Sequence, residues 1–578
     1  MRKELRMIKP EFNLLDEPWI RVRTRDCRIE EVSLKDIFVH AHEYEDLAGE
    51  TAAQDVAMLR LLLAVLHCTF SRVDENGEEN PLIDLEDDEL EDEVFRRWKA
   101  LYDLGHFPEE PIREYLEQWR ERFWLFHEER PFWQVKDVKE VLQANEKKLY
   151  PSCKLNGELS QSSNKVRLFP VRSGLSRDAL TFAEASIWLV YLNAFDDSAV
   201  KPAVRGKKTE EQDNDTKKKK GSEGPGLAWL GKMGVVSAVG RTLFETLLLN
   251  LTLLKDGDKF WEEENKAIWE KTDDELSKAE RQLYPLPENQ AELLTWQSRR
   301  LLLERDDSSR IKGYWVLSGD YFNSENAFAE QMTVWRIDPQ SGKKKWMIPK
   351  THEPDCQMWR EFGSIFCENE DGHMPGLVRW NQLLYRKLKS TTDLKCRFKI
   401  VSVQYGDKNA TVKDTFSDSL AFSSGILSGA DGRSQMAWIH RIKEEIKKCE
   451  LLTETFGKFF YNVALSGGYS TDKKEQRKAV VDAGRETCYA SLDVPFRRWL
   501  NSIDSNCLGE AMEEKVLEWQ KLAKRTALDL GRETIRNAGM RALTGKELDK
   551  KHYASPIAFE VMVKEINKLY PALRGRNL

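Results

Sequence analysis

After about residue 430, apolar residues recur at the spacing of one face of an α-helix, and amphipathic helices of this kind bury that face against one another. The two clearest stripes are Ile439, Ile442, Ile446, Cys449, Phe456 and Phe460, and then Met512, Val516, Trp519, Ala523, Ala527 and Leu530. Ser555 followed by Pro556 predicts the N-cap and the first residue of another helix. With the segment 496–503, these patterns predict an antiparallel four-helix bundle over residues 429–578.

The first 428 residues mix strand and helix patterns. Short apolar runs on both sides of the polar turn 24–27 predict a β-hairpin, and the turns 338–342 and 405–409 predict two more. Thr51 predicts the N-cap of a helix that continues through His67. The predicted fold class is therefore α+β, with a large mixed α/β N-terminal domain (1–428) followed by the C-terminal four-helix bundle.

Composition favours a soluble globular protein. Aromatic residues make up 10% of the 578 residues and include 18 Trp, enough bulk for a buried core. The first ten residues are charged, and the apolar stretch 56–70 is short and carries Arg60, so neither predicts a signal peptide or a membrane span. The nine Cys form no C-x-x-C pair, which argues against a zinc ribbon. We expect a cytoplasmic protein without a membrane contact.

The charge balance limits how the chain could bind nucleic acid. Lys and Arg number 90 against 97 Asp and Glu, a net charge of −7, so any such contact must be local or form within a larger complex. One local candidate is a basic stripe, whose members Lys521, Arg525, Arg532 and Arg536 fall within about 60° on a predicted helix. The stripe fits a solvated face or a duplex-facing one. The segment 196–226, with its lysine run 217–220, fits a linker or a phosphate-contacting loop.

Motifs of catalysis are missing from the sequence. The stretch GLAWLGK (226–232) resembles a phosphate-binding loop but continues with Met233 where a hydroxyl is needed. His40 and His42 alternate on a predicted strand without a third metal ligand in reach. We therefore expect a binding protein with no cofactor and no metal, not an enzyme. The alternative is a metal-dependent nuclease or hydrolase that uses scattered carboxylates of the acidic segment 74–93.

Four stretches, in order along the chain, carry a family resemblance. They are NLLDEPWIRVR (13–23), FHEERPFWQ (126–134), GRTLFETLLLN (240–250) and LLTWQSRR (293–300). Together with the terminal helices they resemble the large subunit of type I-E CRISPR Cascade, the CasA family, across nearly the whole chain. The resemblance implies a non-catalytic antiviral subunit that recognises the protospacer-adjacent motif in double-stranded target DNA and helps open the duplex for the guide RNA. Its implied partners are the backbone, small and handle-binding subunits and a helicase–nuclease. A scaffold that never touches DNA remains a third interpretation.

The resemblance also implies roles for individual residues. The loop that approaches the motif matches FDDSAVK (195–201), which lacks the family's glycines and presents Ser198, Ala199 and Lys201. The strand-separating hairpin tip matches Lys408, Asn409 and Ala410, with Asn409 at the family's glutamine position, and Gln331 aligns with the family's lysine finger. The loop that contacts the guide's 5′ handle matches SSNKVRLF (162–169), with Asn164, Lys165, Arg167 and Phe169. The basic stripe would contact the DNA backbone. Which motif is read and the stoichiometry of the complex stay open.

Overall fold

Helices and strands are mixed in the protein, as predicted for an α+β fold. The computed structural model describes residues 11–156, 172, 177, 179–199, 201–202, 204–205, 226–255, 261, 263–272, 280–281, 283–284, 286–368, 373–388, 395–428, 433–469, 473–548 and 551–571. The chain forms two compact units. The first comprises Met1–Glu353, His373–Asn381 and Phe398–Asp418, and the second comprises Pro354–Gly372, Gln382–Arg397 and Ser419–Leu578. The predicted division at 428/429 stays a prediction.

The first unit contains most of the strands and many short helices. Its helices are Leu34–Val39, Ala52–Phe70, Asp87–Leu104, Glu109–Gln118, Val138–Ala144, Ser152–Leu155, Phe182–Phe195, Leu243–Asn250 and Gln290–Leu294. Its longer strands are Glu11–Asn13, Ile20–Thr24, Ile29–Val32, Tyr44–Leu47, Trp124–Phe126, Val235–Ala238, Arg299–Arg305, Ile311–Ser318, Trp335–Ile337 and Met347–Pro349. Helix Gly376–Leu388 and strands Lys395–Tyr405 and Val412–Ser423 lead from one unit into the other.

Helix Ala52–Phe70 lies in the core of the first unit. The Thr51 side chain accepts a hydrogen bond from the Gln54 backbone and caps the helix, as predicted. The helix is long and apolar enough to cross a membrane, but 94% of its most apolar window is buried within the protein. Its one arginine, Arg60, is buried and forms a bidentate ion pair with Glu330 at 2.9 and 3.0 Å. These features identify a core helix.

The three predicted hairpins are present. Strand Ile20–Thr24 pairs antiparallel with Ile29–Val32, and Trp335–Ile337 pairs with Met347–Pro349. The third hairpin is longer than predicted, since its strands are Lys395–Tyr405 and Val412–Ser423. A three-stranded sheet forms where Lys395–Tyr405 also pairs with Val235–Ala238. This sheet positions the turn between the two long strands.

Two local predictions were wrong. The residues before His40 form helix Leu34–Val39, not a strand, because Ser33 and Asp36 form a capping box, and His40 only ends that helix. The last helix does begin at Ser555, but its N-cap is Ala554, so Ser555 is already helical. The sequence predicted that the Ser555 side chain would cap this helix, but no side chain caps it.

Among its described residues, the second unit contains four long helices and three short ones. The long helices are Arg433–Ser466, Lys474–Asn501, Glu510–Asn537 and Ser555–Leu569; the short ones nearby are Phe362–Phe366, Ser424–Ser428 and Gly539–Thr544. The second long helix runs through Pro495, so it is much longer than the predicted 496–503 segment. Trp519 packs against Trp499 and Phe496, with ring centroids 5.6 and 5.0 Å apart, and Phe459 packs against Phe559. The apolar faces of these helices are therefore buried against one another.

Candidate nucleic-acid interface

Two segments that the sequence singled out separately lie side by side in the first unit. We call residues 195–201 the motif loop and residues 405–410 the wedge turn. The backbone N–H of Ser198 donates to the carbonyl of Asn409 at 2.9 Å, and the Ser198 hydroxyl donates to the carbonyl of Lys408 at 2.7 Å. The Tyr405 hydroxyl donates to the carbonyl of Phe195 at 2.6 Å. Three hydrogen bonds thus join segments about 210 residues apart in sequence.

The wedge turn has a tightly defined backbone with exposed side chains at its tip. Gly406 donates to the carbonyl of Thr411 at 2.8 Å, and Asn409 donates to the carbonyl of Gly406 at 2.9 Å. Lys408 and Asn409 both have left-handed backbone angles, with φ of 53° and 56°. Asparagine tolerates this region better than lysine does, and consecutive left-handed residues reverse the chain sharply. Lys408 and Asn409 are both exposed, while Ala410 is half-buried.

A buried ion cluster lies inside the motif loop. Asp196 accepts from Arg299 at 2.5 Å and from Lys201 at 2.8 Å, and Lys201 also reaches Asp197 at 3.0 Å. Burial by itself would raise the pKa of Asp196, but Lys201 and Arg299 outweigh it and hold that pKa below its usual value. Burial, followed by the charge of Asp196, raises the pKa of Asp197. The two carboxylates therefore stabilise the loop internally and do not present free negative charge.

Two residues predicted to face DNA point into the protein. The side chain of Lys201 is only 1% exposed, since the two aspartates hold its ammonium group. Gln331 is fully buried, and its amide donates to the Leu254 carbonyl at 2.8 Å and to Gln290 at 3.0 Å. In this structure neither side chain reaches solvent, which differs from the predicted contacts. Among the other loop positions, Ser198 is half-buried and Ala199 is buried.

Arg299 is the residue of this site that sequence reasoning missed. It is buried and donates to the carbonyls of Ser298, Asp197 and Gly226 at 2.8, 2.8 and 2.9 Å, besides its ion pair with Asp196. The stretch LLTWQSRR was recognised only as a family marker. The one available signal was an arginine pair at the start of a buried apolar strand, since buried arginines need partners.

The basic stripe lies on helix Glu510–Asn537 of the second unit. Arg525, Arg532 and Arg536 are exposed and Lys521 is partly exposed, whereas four of the six residues in the apolar stripe of the same helix are buried. Arg532 donates to Asp529 at 2.6 Å, so part of its charge is compensated within the helix. The remaining cations form an exposed positive surface that phosphate groups could approach.

The predicted guide-handle residues Asn164, Lys165, Arg167 and Phe169 lie outside the described residues, as does most of the segment 196–226.

Three of the carboxylates in the segment proposed for a nuclease are engaged in other contacts. Asp74 accepts hydrogen bonds from the Asn76 and Glu78 backbones and closes a turn, while Glu75 and Glu93 pair with Arg96. Among the residues that the structure describes, no three His, Cys, Asp or Glu side chains are arranged to hold a metal ion. These contacts do not favour the hydrolase alternative.

The stretch GLAWLGK does not form a phosphate-binding loop. Its residues Trp229–Lys232 form one 3-10 turn, and the Lys232 ammonium lies 5.7 Å from the centre of the Trp229 ring. Gly231 packs directly against Tyr405 of the wedge turn. The stretch therefore supports the wedge turn.

Comparison with known proteins gives one consistent result. Residues 13–530 match the sequence model of the family "CRISPR-associated protein Cse1". The chain is 26% identical to the CRISPR-associated protein CasA/Cse1 of Thermus thermophilus over 541 residues, which is 92% of this chain and 91% of that protein. Thermobifida fusca Cse1 has a similar structure, with a TM-score of 0.78 and 26% identity over 97% of this chain and 98% of that one. A chain of a CRISPR RNA-guided surveillance complex has the same fold, with a TM-score of 0.68 and 19% identity over 97% of this chain and all of that one.

Proposed function

Because the chain belongs to the family of CRISPR-associated protein Cse1, we propose that it is the large subunit of a guide-RNA surveillance complex and reads the protospacer-adjacent motif in duplex DNA. The observation that supports this most directly is the pairing of Ser198 with the wedge turn. A loop for motif contact and a tip for strand separation must act on neighbouring base pairs, and these two segments are hydrogen-bonded neighbours.

The chemistry of the two segments fits these two roles, motif contact and strand separation. Guide pairing supplies most of the sequence specificity, so the protein needs to inspect only a few base pairs. Ser198 is a small residue whose hydroxyl oxygen can still accept a hydrogen bond while its hydrogen is donated to the Lys408 carbonyl, and such a group suits the degenerate donor and acceptor pattern of the minor groove. Lys408 and Asn409 are exposed at the end of a stiff hairpin and can enter the space left when the first pair opens.

The remaining predicted roles belong to the same proposal. The basic stripe holds the DNA backbone, and Asn164, Lys165, Arg167 and Phe169 contact the guide's 5′ handle. The four long helices of the second unit form an antiparallel bundle. The subunit is non-catalytic and cytoplasmic, assembles with the backbone, small and handle-binding subunits, and recruits a helicase–nuclease that performs the cleavage in antiviral defence.

A reconstituted guide complex tests the proposal. Binding and opening of a matched duplex are measured with and without this chain, for a panel of motif sequences, using permanganate reactivity of unpaired thymines beside the motif. We expect motif-dependent opening only when the chain is present. Motif-independent binding and opening would instead support a pure scaffold, and divalent-metal-dependent cleavage by the purified chain would support the hydrolase alternative.

A further inference from the structure

Arg299 holds the motif loop from its inner side. Its guanidinium group contacts the Asp196 carboxylate and the carbonyls of Asp197 and Gly226, so a single side chain holds two consecutive residues of the motif loop and Gly226 together. The backbone N–H of Ala228 also donates to the Asp196 carbonyl at 3.0 Å. These contacts set the shape of the loop at the residues just before Ser198.

The outer side of the same loop is bonded to the wedge turn. Phe195 accepts from Tyr405, and Ser198 donates to the carbonyls of Lys408 and Asn409. Because Asp196 and Asp197 lie between these two attachment points, a change in their position would move both attachments. The location of the wedge tip relative to the motif loop therefore depends on the contacts made by Arg299.

We propose that Arg299 is a positioning residue that holds the motif loop and the wedge turn as one unit, so that motif contact and opening of the first base pair occur together. The inference rests on the proposed function and specifies how its two parts are coupled. A lysine could replace the charge but not the planar fork, which reaches several acceptors at fixed angles. Arg299→Lys should thus loosen the loop while keeping a cation beside Asp196.

Arg300 provides a matched control. It is the next residue of the same strand, is equally buried, and forms an ion pair with Asp320 at 2.7 Å. Its guanidinium group donates to Asp320 and Gln297, which do not belong to the motif loop. Arg300→Lys should therefore cost similar stability without changing the position of the loop.

The experiment uses the complete guide complex, assembled with wild-type or variant chain, and two DNA targets. One target is a closed duplex with a preferred motif, and the other carries mismatches that leave the first two base pairs beside the motif unpaired. Unstacking a base step costs a few kcal/mol, and about 1.4 kcal/mol corresponds to a tenfold change in affinity. Arg299→Lys should weaken binding to the closed duplex about tenfold and to the pre-opened one by less than about threefold.

The control separates positioning from general destabilisation. Arg300→Lys should lower binding to both targets by the same factor, if at all. If Arg299→Lys also changes both targets equally, the inference is wrong. If the wild-type complex itself shows no motif preference, the proposed function fails whatever the variants do.

A second variant avoids the removal of a buried charge interaction, in case Arg299→Lys does not fold. Tyr405→Phe removes only the hydrogen bond to the Phe195 carbonyl. It should reduce binding to the closed duplex by about threefold relative to the pre-opened one, as expected for one lost hydrogen bond of about 0.5–1 kcal/mol. An unchanged ratio between the two targets would overturn the inference.

Discussion

Gly231 lies so close to Tyr405 that a Cβ atom at position 231 would overlap the phenolic oxygen of that tyrosine. The same oxygen donates to the Phe195 carbonyl and joins the wedge turn to the motif loop. A glycine outside the candidate site is thus required for a hydrogen bond within it.

Gly231→Ala should therefore destabilise the protein and disturb the site. Overpacking of a close-packed position costs about 1–3 kcal/mol. Tyr405→Phe removes the oxygen that the new methyl group would meet, so the double variant should be less unstable than the sum of the single ones. Chemical denaturation of the four proteins measures this coupling. Strict additivity would contradict the assigned contact.

Variants of the wedge turn should separate backbone strain from side-chain function. Lys408 and Asn409 both have positive φ, a region that costs about 1–2 kcal/mol for most residues other than glycine. Changing both to Gly should remove the side chains while keeping the turn, whereas changing both to Ala should also reduce stability. If these side chains open the duplex, both double variants should bind closed duplex weakly and bind a complementary single strand normally.

The readout for the wedge variants is target affinity in the guide complex, together with the Tm of the free chain. The Ala variant should show the lower Tm. Equal losses on duplex and single strand would exclude the wedge role for these two side chains.

Sequence reasoning succeeded where one local pattern decided the structure. Thr51 before an apolar helix and the polar turn between residues 20 and 32 needed no information from distant residues. The strand prediction rested only on the alternation of His40 and His42, and it failed because Ser33 and Asp36 form a capping box that begins a helix just before them. Pro495 concealed most of a 28-residue helix, since proline usually ends a helix and here does not.

The candidate site was only half predictable for a different reason. The motif loop and the wedge turn could each be located from the sequence. Their hydrogen bonds, however, join residues about 210 positions apart, and no local sequence pattern indicates that residues so far apart are in contact. Lys201 was expected to face DNA only because the stretch 195–201 matches the loop that approaches the motif in the family. Its inward orientation depends on the fold placing both aspartates, with Arg299, around one buried position.

The buried histidine His67 should make stability depend on pH. Burial lowers the pKa of His67 to about 3, compared with about 6.5 in an unfolded chain. Between these values the unfolded chain binds a proton that the folded one does not, so stability should fall as the pH is lowered from about 6.5 towards 3, by at most about 1.4 kcal/mol per pH unit. His67→Leu should flatten this dependence. Denaturation midpoints at pH 7 and pH 5 measure it, and an identical decrease in both proteins would contradict the assignment.

The salt dependence of target binding should show whether the basic stripe contacts DNA phosphates. Each phosphate contact on duplex DNA releases counterions and contributes about 0.9 to the slope of log affinity against log salt concentration. If Arg532 and Arg536 contact phosphate, changing both to Glu should weaken target binding for every motif sequence alike and flatten the salt dependence, because phosphate contacts position a protein and base contacts specify its sequence. Both side chains are exposed, so the fold should tolerate the change.

Replacing Asp529 should have the opposite effect on target affinity and on its salt dependence. It pairs with Arg532 at 2.6 Å and so competes with phosphate for that cation. Asp529→Asn should strengthen target binding at low salt and steepen the salt dependence, while the Arg532→Glu and Arg536→Glu pair does the reverse. Salt titrations of all three complexes on a preferred and a poor motif measure both effects. If neither variant changes the slope, the stripe is a solvated helix face, and if the motif ranking changes, these residues contact bases.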